Sequence, residues 1–157
     1  MGEIEIRRAA AADVDGFVAS SAGLFAEDAA TFDDTVDIDW PRRHGGQRFR
    51  DALIDPYRLV LVAIDPSGAV VGHLTGLLSD PTAMRPVRVA SLLSLYVFAE
   101  HRDAGIGARL VNEFRSWARL RQTDRMEVTA YANNARALRF YQRHGFAAQS
   151  VVLEAIP

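Results

Sequence analysis

The sequence predicts an α/β fold that combines strands and helices. Apolar runs of strand length alternate with segments whose apolar residues recur at helical spacing. Two glycines, Gly105 and Gly107, separate a buried apolar run from an amphipathic segment, which is typical of a strand that turns into a helix. A length of 157 residues suits one domain with its own core, so we expect a single domain over residues 1–157.

The first half of the chain predicts a strand, two helices and a β-hairpin. Ile4 and Ile6 alternate with charged residues, as in a half-buried strand. Residues 65–68 (Asp-Pro-Ser-Gly) have turn chemistry at each position and predict the hairpin turn. The expected elements are a strand at 4–6, a helix at about 11–30, a short helix around Phe49 that ends before Pro56, and strands at 59–64 and 69–78.

The second half predicts three further strands and two helices. The helix after the glycines is indicated by apolar residues at helical spacing, namely Leu110, Val111, Phe114, Trp117, Ala118 and Leu120. The expected elements are a strand at 89–98, a helix at about 105–121, a strand at 126–131, a helix from Asn134 to Gly145 and a last strand at 146–153. The predicted order is therefore β-α-α-β-β-β-α-β-α-β, with no internal repeat.

Composition excludes several classes of function. The chain has no cysteine, which excludes a cysteine nucleophile, disulfides and thiolate metal sites. All 18 basic residues are arginine, so a P-loop lysine and a lysine Schiff base are excluded as well. A net charge of -2 favours neither nucleic acid nor an anionic membrane as a partner. The first residues lack a signal-peptide core, and no apolar run approaches the ~18 residues of a membrane span, so we expect a cytoplasmic protein.

The glycine-bearing turn predicts an anion site. Unpaired N–H groups and the positive end of the helix dipole gather at a helix N-terminus, and glycine lets a phosphate approach the backbone. A dinucleotide fingerprint would need a third glycine where Leu110 stands, so that class is not favoured. Glycines after a strand are on their own weak evidence, because they often form only a tight turn.

A second motif makes the glycines specific evidence for one protein family. The first segment is Arg102-Asp103-Ala104-Gly105-Ile106-Gly107, and the second is Asn134-Ala135-Arg136-Ala137-Leu138-Arg139-Phe140-Tyr141 ahead of Gly145-Phe146. Together they resemble the GCN5-related N-acetyltransferase (GNAT) superfamily. Its signature is Arg/Gln-x-x-Gly-x-Gly/Ala after a strand, then Asn-x-x-Ala-x-x-x-Tyr before Gly-Phe. The resemblance covers nearly the whole chain. It implies the GNAT fold, a mixed, mostly antiparallel sheet flanked by helices. In this fold two parallel strands, here those ending at Phe98 and Tyr131, splay apart and bind acetyl-coenzyme A.

The resemblance also implies which residues bind acetyl-coenzyme A, with no metal. They are Leu95, Tyr96, Val97, Arg102, Asp103, Ala104, Gly105, Ile106, Gly107, Ala108, Asn134 and Tyr141. The strand residues would pair with the pantetheine arm, and the glycine loop would wrap the pyrophosphate. The side chain of Arg102 either adds charge there or is a solvated surface arginine. Two residues depart from the pattern: Asp103 stands where glycine is common, and Ala99 where proline is common.

Two residues of the second motif have a structural and a functional interpretation. Asn134 is a favoured N-cap residue, and by resemblance it contacts the coenzyme from that same position. Tyr141 is either a core aromatic, three residues from Leu138 on an apolar helix face, or the catalytic acid. A tyrosine hydroxyl is protonated at neutral pH and can give its proton to a departing thiolate.

The general base is not evident in the sequence. Some relatives use a glutamate on the strand before the glycine loop. That glutamate has no counterpart here, since the strand offers only Ser91 and Ser94. Glu100, His101 and His73 are candidates by residue type, and a water chain would serve equally well. The N–H group of Val97 is the expected donor to the oxyanion.

An acidic segment stands between the first two predicted helices. Residues 27–40 contain six acidic residues and no basic one, and in this family the segment borders the acceptor pocket. It is either an acidic rim that attracts a cationic amine through Asp33, Asp34, Asp37 and Asp39, with walls from Phe32 and Trp40, or a solvated loop.

These observations favour an enzyme that transfers an acetyl group from acetyl-coenzyme A to a primary amine by direct transfer. The acceptor is expected to be the amine of a cationic small molecule or a peptide, with neither nucleic acid nor membrane as a partner and with a homodimer left open. The alternatives are a non-catalytic module that senses acyl-coenzyme A, which the retained Tyr141 disfavours, and an interaction domain without ligand, which the intact Gly105 and Gly107 disfavour.

Overall fold

The computed structural model describes residues 2–157, and its centre is one five-stranded sheet. The strands are β1 (Glu5–Arg8), β2 (Arg58–Ile64), β3 (Val70–Ser79), β4 (Val89–Val97) and β5 (Arg125–Val128). They lie side by side in chain order. Neighbouring strands are antiparallel except for β4 and β5, which are parallel. The mixed, mostly antiparallel sheet predicted from the sequence is therefore confirmed.

Helices cover both faces of the sheet. They are α1 (Val14–Leu24), α2 (Ala30–Phe32), α3 (Gly46–Leu53), α4 (Ile106–Leu120) and α5 (Ala135–Arg143). Two π-helical turns, Phe25–Ala29 and Pro41–Gly45, extend α1 towards α2 and lead into α3. Single π-helical turns are rare and recur at functional sites.

Each face of the sheet has its own apolar core. On one face, α4 buries Leu110, Val111 and Phe114 against Leu61 and Leu74 of the central strands. On the other face, Phe17 of α1 and Phe49 and Ala52 of α3 pack on Val60. Successive residues of β2 are buried on opposite faces, as a strand covered on both sides requires.

The turn predicted at residues 65–68 forms as expected. The Asp65 carboxylate accepts hydrogen bonds from the N–H groups of Ser67 and Ala69. Gly68 adopts a φ of 89°, a left-handed conformation that favours glycine. The turn lies far along the chain from the glycine loop and has the same local backbone requirement, which makes it a useful control below.

Two sequence expectations are corrected by the structure. The strand expected at 126–131 ends at Val128, because its pairing with β4 ends there. The strand expected at 146–153 does not form: residues 146–157 adopt neither helix nor strand, and Val151 and Leu153 are 71% and 89% exposed. The β-propensity of such residues depends on a partner strand and a buried face, and this segment has neither.

No helix within residues 2–157 is long and apolar enough to cross a membrane. The expected cytoplasmic location and the expected single domain over 1–157 stay predictions.

Candidate active site

A cleft of about 1030 Å³ opens where β4 and β5 stop pairing. Their register runs from Val89 opposite Arg125 to Leu92 opposite Val128, and β4 then continues alone to Val97. The walls are the free stretch of β4, the start of α4, one face of α5 and the helical segment after α1. The parallel strands therefore separate beyond Leu92 and Val128, as expected for a splayed pair, and leave a gap beside β4.

The backbone of β4 presents hydrogen-bonding groups to this gap. The N–H of Phe98 donates to the carbonyl of Val71 in β3 at 3.0 Å. Because N–H groups alternate in direction along a strand, those of Val97 and Leu95 point away from β3, into the cleft. Leu95 and Val97 therefore present their N–H groups to the cleft, whereas that of Tyr96 faces β3, and the pairing of all three residues with the pantetheine arm stays a prediction.

The glycine loop lies at the N-terminus of α4. Gly105 is the N-cap of this helix and no side chain caps it, so the N–H groups of the first turn have no protein acceptor within the described residues. Gly105 has a φ of 79°, and a Cβ added there would meet no atom within 4 Å. Its side of the loop is open space in the cleft, which fits an approaching phosphate.

Asp103 also occupies the left-handed region, with a φ of 62°. This conformation explains why glycine is common at its position in the resembling family. Aspartate is among the few other residues that tolerate it. The departure from the pattern therefore preserves the backbone path of the loop.

Arg102 lines the cleft and is not a solvated surface residue, and its contact with a phosphate stays a prediction. Its Nε donates to the carbonyl of Val97 at 2.9 Å, and its Nη2 pairs with Glu27 at 2.7 Å. The hydrogen bond from Arg102 holds the pKa of the Glu27 carboxyl below its usual range. The guanidinium also lies over the ring of Tyr96, 5.3 Å from its centroid. Arg102 thus links the π-helical turn Phe25–Ala29, through Glu27, to Val97 of β4.

Asn134 and Tyr141 both lie on α5 at the cleft. The side chain of Asn134 accepts the N–H of Ala137 at 3.1 Å, so the N-cap interpretation is confirmed, and the contact with coenzyme stays a prediction. Tyr141 packs edge-on against Phe140 and Phe146. Its hydroxyl has no hydrogen-bond partner within residues 2–157, although the residue lines the cleft. Burial first, and then the charge of Asp28, raise the pKa of Tyr141 above its ordinary value.

His73 does not suit the role of general base. It is fully buried on β3, and burial lowers its pKa to about 3. Its Nδ1 is 2.6 Å from the hydroxyl of Ser20, and its Nε2 is 3.1 Å from that of Ser94. A neutral imidazole with both nitrogens satisfied is a structural residue of the sheet. Of the other two candidates, His101 lines the cleft, whereas Glu100 is exposed outside it.

Asp28 is the cleft residue that the sequence analysis did not single out. It is half-buried in the π-helical turn Phe25–Ala29 and lines the cleft together with Tyr141. Burial, followed by the negative charge of Glu27, raises the pKa of its carboxyl, and Arg102 opposes the shift. Within the described residues it forms no ion pair or hydrogen bond. An unpaired carboxylate is thus held in the same cleft as the candidate proton donor.

The other acidic residues of the segment 27–40 are mostly engaged or outside the cleft. Glu27 pairs with Arg102, Asp33 accepts hydrogen bonds from Thr35, and Asp37 pairs with Arg43. Asp34 and Asp39 are exposed and do not line the cleft. Nothing in the sequence separates Asp28 from these neighbours, because the difference is one of burial.

The fold and the cleft together define an α/β protein with a ligand-binding gap at the open end of a parallel strand pair. The family model for the acetyltransferase (GNAT) family matches residues 24–146, and the chain belongs to this family. The expected acyltransferase class is thereby confirmed. No curated protein matches the sequence.

Solved structures with the same fold cover nearly the whole chain. A tetramutant of the BH1408 protein from Bacillus halodurans has a TM-score of 0.88 at 22% identity, covering 98% of this chain and 99% of its own. Aminoglycoside 6'-N-acetyltransferase AAC(6')-Ih from Acinetobacter baumannii has 0.76 at 17%, covering 99% and 98%. Aminoglycoside N-acetyltransferase AAC(6')-Iy in complex with CoA has 0.78 at 14%, covering 100% and 97%.

Proposed function

We propose that this chain transfers an acetyl group from acetyl-coenzyme A directly to the primary amine of a small molecule or peptide, within a single domain over residues 1–157. One observation carries the proposal: the cleft that presents the free backbone of β4 and the uncapped N-terminus of α4 also contains Tyr141 and Asp28. The family membership and the acetyltransferases among the structures with this fold support it.

The residues present fit acetyl-coenzyme A. The N–H groups of Ile106, Gly107 and Ala108 would hold the pyrophosphate, and those of Leu95 and Val97 would hold the pantetheine arm and the thioester oxygen. Bound acetyl-coenzyme A supplies the acyl group as an activated thioester. Because Arg102 is committed to Glu27 and Val97, the phosphate charge would be met chiefly by the backbone and the helix dipole.

Two side chains would handle the protons. The amine nitrogen bonds to the acyl carbon as the carbon–sulfur bond breaks. Asp28 accepts one proton from the acceptor ammonium, and the hydroxyl of Tyr141 gives its proton to the departing sulfur. The nitrogen loses its second proton to water in the cleft as the amide forms. Exchange with water in the cleft then restores both groups. The raised pKa of each residue suits its task, since a more basic carboxylate accepts a proton more readily and the phenol stays protonated at neutral pH.

Release of free thiol that depends on an added amine tests the proposal. An enzyme of this type releases one thiol for each amine acetylated, and a panel of amines would show it by a thiol reagent. Acetyl-coenzyme A that binds without amine-dependent thiol release would favour the alternative, a non-catalytic acyl-coenzyme A sensor.

Replacement of Gly105 by alanine should weaken coenzyme binding at least about tenfold. The added Cβ projects into the open part of the cleft beside the expected phosphates. A ligand at 100 times its Kd stabilises the fold by about 2.7 kcal/mol, and a tenfold rise in Kd would reduce this to about 1.4 kcal/mol. The unfolding midpoint with and without coenzyme A measures the difference.

Gly68→Ala is the matched control for this substitution. Gly68 also has a positive φ with open space around it, so both variants should lose about 1 kcal/mol of stability from backbone strain. Gly107 is less suitable, because its added Cβ would lie 3.4 Å from the Phe140 ring and larger side chains would press on α5. Equal stabilisation of both alanine variants by coenzyme A would place the phosphates elsewhere.

Neutralising the exposed acids Asp34 and Asp39 to asparagine should raise the acceptor KM by about two- to threefold at low salt. These charges attract a cationic amine from outside the cleft, and such attraction is screened over about 8–10 Å at physiological salt. The KM for acetyl-coenzyme A should stay unchanged. If the wild-type acceptor KM does not change with ionic strength, the segment 27–40 does not attract the acceptor and is a solvated loop.

A further inference from the structure

A second cavity of about 440 Å³ adjoins the cleft on the face of the sheet covered by α1 and α3. We call it the apolar annex, defined by the rings of Phe17, Phe25, Trp40 and Phe49 and by Leu93 and Ser94 at its entrance. Phe25, Val36, Leu93 and Ser94 line both the annex and the cleft, so the two spaces adjoin at these residues.

The annex is built from ordered contacts in the core. The rings of Phe17 and Phe49 lie 4.8 Å apart and are almost fully buried. The rings of Phe25 and Trp40 are stacked, with centroids 6.0 Å apart and planes inclined by 12°. These packed aromatic pairs make the annex largely apolar, and a cavity of about 440 Å³ suits a ring or a branched alkyl group.

A β-bulge positions the entrance. Thr75 pairs with Ser94 and Gly76 with Leu92, so Leu93 is an extra residue in β4 at this point. The hydroxyl of Ser94 is held 2.6 Å from that of Thr75 and 3.1 Å from Nε2 of His73. Bulges recur beside active sites, where they redirect side chains. Here the bulge places one polar group at the border between the cleft and an apolar chamber.

The charges around the annex do not favour a second cationic group. Asp37 is its acidic residue, and that carboxylate already pairs with Arg43. Arg48 and Arg58 also line the annex. Arg58 pairs with Asp55, and Arg48 would repel a positive substituent. The part of a ligand that enters the annex is therefore expected to be uncharged.

We infer that the annex binds the substituent of the acceptor amine, and that the acceptor is a primary amine carrying one aromatic or branched aliphatic group. The amine would lie at the entrance beside Ser94, facing the cleft. This inference rests on the proposed acetyl transfer and narrows its substrate class, because a polyamine or an aminoglycoside would leave the apolar chamber unfilled.

Binding of phenethylamine, followed through tryptophan fluorescence, tests the inference separately from catalysis. The chain has two tryptophans: Trp40 forms a wall of the annex, and Trp117 is buried in the core on α4. Phenethylamine should change the emission of Trp40 in a saturable manner. Ala52→Leu, which adds volume inside the annex, should raise the apparent Kd at least about tenfold.

Ile38→Ala is the matched control, since Ile38 is exposed in the same segment and lies outside the annex lining. It should leave the titration unchanged, and Trp40→Phe should remove the signal while keeping a ring. In the thiol-release assay, kcat/KM should be at least about tenfold higher for phenethylamine than for spermidine.

The outcomes separate the two proposals. A saturable signal lost in Ala52→Leu supports the annex even if no amine is acetylated, a result that would overturn the proposed function alone. A titration with no saturable signal, or one that Ala52→Leu leaves unchanged in a folded protein, overturns the annex. Acetylation of spermidine in preference to phenethylamine overturns the annex and leaves acetyl transfer standing.

Discussion

Replacement of Tyr141 by phenylalanine should lower kcat about 10²–10⁴-fold, the range found when a general acid is lost. The substitution removes one oxygen atom and keeps the ring that packs against Phe140 and Phe146. The hydroxyl has no partner in the described part of the chain, so its removal should not disturb the fold. Steady-state thiol release with a good acceptor measures the change, and the KM for acetyl-coenzyme A should move little.

Tyr57→Phe is the control for removal of a tyrosine hydroxyl. The hydroxyl of Tyr57 donates to Asp80 at 2.6 Å and lies outside the cleft, so its loss should leave kcat unchanged. Turnover at the wild-type rate in Tyr141→Phe would make Tyr141 a core aromatic, the other interpretation that its place on an apolar helix face left open.

The central elements of the fold could be predicted because local and tertiary signals agree there. The spacing of Leu110, Phe114 and Trp117 predicts one buried helix face, and α4 buries that face on the sheet. Asn134 and Gly145 mark the start and the stop of α5, and the structure confirms both by a side-chain cap and by a φ of 89°. In such segments, propensity, capping and burial favour one structure.

The segments that sequence reasoning missed depend on partners that are remote in the chain. The strand expected at 146–153 has strand-like residues but no partner strand within the described residues, so the apolar alternation has nothing to pair with. The bulge at Leu93 follows from the register between β3 and β4, and no residue of β4 alone signals it. The π-helical turns likewise have no sequence signature of their own.

The candidate site also has one part that local sequence signals predict and another that depends on contacts remote in the chain. Its backbone part could be predicted, because glycines after a strand and an N-cap asparagine are local signals. Its side-chain part could not. Arg102 was expected near phosphate or in solvent, yet it pairs with Glu27, which lies 75 positions earlier in the chain. Among the six acids of the segment 27–40, only the tertiary structure separates the half-buried Asp28 from its neighbours.

Asp28→Asn should lower kcat/KM for the acceptor about 10²-fold or more and remove the acid limb of its pH profile. In the wild type, the rate should rise with pH through the raised pKa of Asp28, because the ionised carboxylate is the form that accepts a proton. The charged and titratable groups linked to this carboxyl are Glu27, Arg102, Tyr131 and Tyr141. Of these groups, Glu27 favours the protonated form of Asp28 and Arg102 the ionised form.

The same substitution should raise the stability of the protein at neutral pH. Burial raises the pKa of Asp28 in the folded state, so the folded chain binds more protons than the unfolded chain as this group titrates. Stability from this group therefore falls as pH rises from the unfolded pKa through the raised folded pKa, and asparagine avoids that loss. A lower rate with a higher unfolding midpoint at pH 7 is the expected signature of a residue kept for catalysis at the expense of stability. Asp34→Asn, at an exposed neighbour, should keep the acid limb of the pH profile and leave the midpoint unchanged. A pH profile for Asp28→Asn that matches the wild type would remove Asp28 from the mechanism and favour a water chain as the base.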